Sequence, residues 1–73
     1  MTFYNWLERH KSDDSPLGDL AYDTMRSPGA ASVPNELDMW VLFVSNGGGD
    51  ETVIRVLRQA WRSYLAYCRK HPE

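Results

Sequence analysis

Apolar residues along this chain recur at steps of three and four, and the longest such stripe lies near its C-terminal end. Val53, Leu57, Ala60, Trp61, Tyr64 and Cys68 form one apolar face at helical period, which predicts a helix over about Glu51–Lys70. Asp50 stands at the capping position before it, and Pro72 closes the chain after it. At about 100° per residue, Arg55, Arg58, Arg62 and Arg69 fall on the opposite side of this helix. The upstream segments are shorter and amphipathic, so each needs this helix to cover its apolar face. On that reading Trp61 is a main core residue, and its truncation to alanine costs about 3–5 kcal/mol.

Three further helices follow from pattern and punctuation. Thr2 is an N-cap, and Phe3, Trp6, Leu7 and His10 follow at helical spacing, giving a helix over about Thr2–His10. Phe3 and Leu7 face the core, with Trp6 at its edge. Lys11 to Asp14 is a polar loop. Ser15-Pro16 supplies a capping hydroxyl and a proline at the first helical position, so a second helix runs over about Pro16–Arg26 with Leu17, Leu20, Ala21 and Thr24/Met25 inward. Ser27-Pro28-Gly29 stops it, and 27–33 has room for one short extra turn. Ser32-Val33-Pro34 repeats the start signal for a third helix whose first turn holds Asn35, Glu36 and Asp38. Leu37, Trp40, Val41 and Val44 form one face, while Met39 and Phe43 lie off its centre. Met39–Val44 also reads as a strand on composition, but the flanking caps and the lack of a second strand favour helix. Ser45-Asn46 and the three glycines Gly47–Gly49 end it.

These elements make an all-α fold: one domain over residues 1–73, a compact bundle of four helices, or five with the short turn. A chain of 73 residues holds one domain at most and buries only about 60% of its unfolded surface. One cysteine excludes an intramolecular disulfide, so stability must come from dense packing of three Trp, four Tyr and two Phe, or from dimerisation. The lone thiol, and a start without a basic segment or a long apolar run, are what a cytoplasmic protein shows. The apolar run Met39–Val44 is far below the roughly 18 residues of a membrane span.

The residues also carry a resemblance. Phe3-Tyr4-Asn5-Trp6-Leu7 is similar to the aromatic start of the small YozE-like proteins. Asp19-Leu20-Ala21-Tyr22-Asp23 resembles their second helix, and Ala60-Trp61-Arg62-Ser63-Tyr64-Leu65 their closing pattern. It spans nearly the whole chain and implies a helical arrangement similar to a sterile alpha motif (SAM) domain. The family has no established activity, so the resemblance implies a fold and no reaction. The chain departs from the family at Arg26-Ser27-Pro28-Gly29 and in the apolar Trp40-Val41-Leu42-Phe43.

Charge changes the picture in one place. The net charge is −2, with three Lys/Arg against eight Asp/Glu in residues 1–50 and five against two in 51–73. The arginine face is therefore a candidate contact for phosphates or for an acidic partner. A helix buried on one side is also polar on the other as a matter of course, and Glu51 is spaced to pair with Arg55. An overall pI near 5.6 argues against a dedicated DNA binder. Trp40 and Phe43 cannot both face one core from one helix, so Met39 and Phe43 are candidates for contact with a protein partner or a second copy. His10, Cys68 and His71 lack ligand spacing, so no metal and no cofactor is expected. The acidic pairs Asp13-Asp14 and Asp19/Asp23 read as solvated charge, and Gly47–Gly49 as a turn rather than a phosphate loop. The expectation is a non-catalytic interaction module without a small-molecule substrate. The alternative is weak nucleic-acid binding through Arg55, Arg58, Arg62 and Arg69.

Overall fold

The computed structural model describes residues 1–72, and it is all-helical. In order it has α1 (Phe3–Glu8), α2 (Pro16–Arg26), a 3₁₀ turn (Ala30–Ser32), α3 (Leu37–Asn46) and α4 (Glu51–Lys70). Among the described residues there is no strand, and no helix is long and apolar enough to cross a membrane.

Local chemistry sets most of the boundaries. Thr2 Oγ1 accepts from Asn5 N–H at 3.2 Å, Ser15 Oγ from Gly18 N–H at 3.1 Å, and Asp50 Oδ1 from Val53 N–H at 3.0 Å. Each takes up a donor that a helix start otherwise leaves open. The end of α3 is a Schellman turn. Gly49 N–H reaches Val44 O at 2.9 Å and Gly48 N–H reaches Ser45 O at 3.1 Å, with Gly48 left-handed at φ 92°. The glycine run therefore closes a helix in a defined geometry.

α4 is the element the others cover, since α1, α2 and α3 all pack against it. The buried cluster is Phe3, Trp6 and Leu7 of α1, Leu20 and Ala21 of α2, Trp40 of α3, and Leu57, Ala60 and Tyr64 of α4. Phe3 is its hub. Its ring stands edge-on to Trp40 at 5.3 Å and to Tyr64 at 5.5 Å, and lies 5.1 Å from Trp61. Such aromatic pairs contribute about 0.5–1.5 kcal/mol each beyond the area they bury.

Four expectations need correction. The first helix is shorter than expected: it ends at Glu8, and hydrogen-bonded turns carry the chain to Asp13. Trp6 is buried and not at the edge of the core, with its ring against those of Phe3, His10 and Tyr64. Trp61, expected in the core stripe, is only half-buried, while Trp40 is 1% exposed. The third helix also starts later than the Ser32-Val33-Pro34 signal predicts. Ser32 ends the 3₁₀ turn, and helix geometry begins at Leu37 after an extended Glu36 (φ −137°, ψ 140°) that makes no side-chain cap.

The residue responsible is Asn35. Its Oδ1 accepts from Phe3 N–H at 2.8 Å, and its Nδ2 donates to the Tyr64 hydroxyl at 3.1 Å. The Tyr64 hydroxyl in turn donates to Met1 O at 2.7 Å. Asn35 thus satisfies an open donor at the start of α1 from across the chain, and helical geometry at this position would give up that contact.

Candidate interaction surfaces

The predicted site residues lie on two separate parts of the surface. Arg55, Arg58, Arg62 and Arg69 are all exposed. At about 100° and 1.5 Å per residue they form a ridge roughly 60° wide and about 21 Å long, facing away from the core. Among the described residues none of these guanidinium groups is paired with a carboxylate, and the expected Glu51–Arg55 contact is not formed. The charge on the ridge is therefore free to act on an anion, at the screened strength of exposed groups.

Met39 and Phe43 are both half-buried. Phe43 stands edge-on to the buried Trp40 ring at 5.9 Å and packs against the core, so, contrary to the expectation, the two aromatics share one side of α3. The outermost apolar side chain of α3 is Leu42, 53% exposed, which lies about 160° around the helix from Trp40. Tyr22 and Leu65 are the other large exposed apolar residues, and Arg26 lies over the Tyr22 ring at 5.3 Å. Scattered singly, such residues are ordinary surface and mark no patch by themselves.

A larger feature joins the end of α3 to α2 and the start of α4. A groove of about 780 Å³ runs between them, with Leu20 and Thr24 of α2, Phe43 and Val44 of α3, and Val53 and Val56 of α4 as its floor. The glycine turn Gly47–Gly49 forms one end, and Pro16, Asp19, Asp23 and Ser27 form the α2 rim. The Schellman turn keeps the groove open. A Cβ on Gly49 would stand 2.6 Å from Val44 Cγ1, so a bulkier residue there displaces the groove's own wall. Phe43 was visible in the sequence as a candidate; the groove was not, because its walls come from three separated segments. The signal that bears on it is the apolar excess of the third helix, which has more apolar positions than one core-facing side needs.

A second cleft, of about 560 Å³, lies between the ends of α1 and α4 and is lined by Trp6, Arg9, His10, Ser63, Tyr67, Lys70 and neighbours. Arg9 Nη1 donates to the Tyr67 hydroxyl at 2.8 Å and its guanidinium lies over that ring, while His10 Nδ1 is 2.7 Å from Asp13 Oδ2. Lys70 lies in the last turn of α4, where a cation complements the helix dipole. Among the described residues no group of three His, Cys, Asp or Glu gathers to hold a metal ion.

Comparison of the chain with models of protein families, with curated proteins and with solved structures finds no match.

Proposed function

We propose that this protein is a small non-catalytic interaction module whose docking site is the groove between α2, the end of α3 and the start of α4. The observation that carries this reading is the groove's floor. Phe43, Val44, Val53 and Val56 pack against the core on one side and are left half-open on the other. A concave apolar site of this size, framed by a few polar groups, is what a binding protein offers. The resemblance to YozE-like proteins, with its SAM-like arrangement and cytoplasmic setting, belongs to the same proposal and rests on the aromatic motif residues quoted above.

The second reading, contact with nucleic acid through Arg55, Arg58, Arg62 and Arg69, is favoured by one observation: all four are exposed without an acidic partner among the described residues.

Affinity capture from the source cells tests the two readings against each other. Thr52 is exposed and lines the groove, so Thr52→Trp fills the groove without touching the core. The expected result is a protein partner retained by the wild type and by the Arg55→Gln/Arg58→Gln/Arg62→Gln variant, and lost with Thr52→Trp. Retention by Thr52→Trp and loss with the arginine variant, together with nuclease sensitivity, would move the function to the ridge.

A further inference from the structure

We infer that the occupant of this groove is a cationic amphipathic helix of a partner protein, an inference that rests on reading the groove as the docking site. Three observations on the groove itself lead there.

The first is charge. Among the described residues, the only ionised side chains that line the groove are Asp19 and Asp23, and both are exposed on the α2 rim. No cation among the described residues lines it, so these residues present one sign of side-chain charge beside an apolar floor.

The second is that these two carboxylates stand four residues apart on one helix face, where like charges repel. Asp19 has some relief from its place in the first turn of α2. Asp23 has none of that relief, and Arg26, the nearest cation on the same helix, is directed over Tyr22. Neither aspartate is ion-paired among the described residues. The free protein therefore keeps an uncompensated pair beside the groove, which a lysine or arginine on the bound segment neutralises.

The third is backbone chemistry. The walls are helices and a closed turn with no strand edge among the described residues, and Gly47, Gly48 and Gly49 N–H all return to α3 carbonyls. An extended peptide entering here finds no edge to pair with and leaves its own N–H and C=O groups unpaired against an apolar floor. A helix brings its backbone bonds with it. It places two or three aliphatic side chains at i, i+3 or i+4 and i+7 on Leu20, Phe43, Val44, Val53 and Val56, with flanking cations over Asp19 and Asp23.

The test uses the full chain and three fluorescein-labelled peptides of about 18 residues, long enough to hold helix in water. All carry leucine at the same helical stripe, with lysine, glutamine or glutamate at every other position. Binding is read by anisotropy at low and high salt, and its location by amide shifts of the labelled protein. The lysine peptide is expected to bind with a salt-sensitive affinity and to shift Leu20, Phe43, Val44, Gly47–Gly49, Val53 and Val56. Asp19→Asn/Asp23→Asn is expected to weaken it about three- to tenfold, the range of two exposed ion pairs, without lowering the melting temperature. Equal binding of the glutamine or glutamate peptide in the groove would overturn the charge assignment and leave the docking site standing. Silence of all three peptides at those resonances would overturn both.

Discussion

Asn35 and Tyr64, twenty-nine positions apart, are joined by a hydrogen bond of 3.1 Å from the Asn35 side-chain amide to the tyrosine hydroxyl. With the Phe3 N–H to Asn35 bond at 2.8 Å and the Tyr64 to Met1 carbonyl bond at 2.7 Å, it ties the N-terminus, the approach to α3 and the middle of α4 into one network. Asn35→Ala leaves the Phe3 amide without this acceptor, and Tyr64→Phe removes the hydroxyl that Asn35 and Met1 share. Each substitution is expected to cost about 1–3 kcal/mol. Because both act on one network, the double variant is expected to lose less than the two single losses together, by about 0.5 kcal/mol or more. Denaturant melts of the four proteins measure this directly, and strict additivity would show the bonds to be independent.

Trp40 and Trp61 are expected to differ. Trp40, 1% exposed and in contact with Phe3 and Phe43, should cost about 3–5 kcal/mol on replacement by alanine. Trp61 is half-buried and flanks the core against Phe3 and Tyr64, so Trp61→Ala should cost clearly less. Trp40 also buries an indole N–H that has no hydrogen-bond partner among the described residues, which partly offsets what its ring contributes. Thermal melts of the two variants rank them. A larger loss for Trp61→Ala would mean that α3 is not seated on α4 as described.

At Gly18, α2 lies close against the backbone of the loop before it. A Cβ there would lie 1.8 Å from the Asp13 carbonyl oxygen, a backbone atom that cannot turn aside. Gly18→Ala is therefore expected to destabilise the fold by about 1–3 kcal/mol, as overpacking does, although alanine is the better helix former. A melt that rises on this substitution would contradict the close approach.

The arginine ridge is expected to be silent in stability. Arg55, Arg58 and Arg62 make no ion pair among the described residues, so changing any one to glutamine should move stability by no more than about 0.5 kcal/mol. Melts at low and high salt check this. A large salt-dependent loss would reveal a structural role that the geometry does not contain.

The bounds of α2 and α4 were legible because their signals are local: Ser15 and Asp50 each cap an amide three residues on. The core of α4 was legible in part. Leu57, Ala60 and Tyr64 are buried as the stripe predicts, whereas Trp61, one residue off its centre, is shared with solvent. The start of α3 was not legible. Pro34 carries the same signal as Pro16, but Asn35 is held by Phe3 and Tyr64, and nothing near it in the sequence records those partners. The arginine face was readable from spacing alone. The groove required knowing that Asp19 and Asp23 stand across from Phe43 and Val56, a relationship only the packed helices create.

The proposed docking through the groove is open to a direct titration. The most direct measurement is an amide shift titration of the labelled protein, run in parallel with the lysine–leucine peptide and with a short mixed-sequence DNA duplex at low salt. Docking in the groove gives saturable shifts at Phe43, Val44, Gly47–Gly49, Val53 and Val56 with the peptide, and no saturable shifts there with the duplex. A silent groove, with saturable shifts confined to Arg55, Arg58, Arg62 and Arg69 on adding DNA, would contradict it.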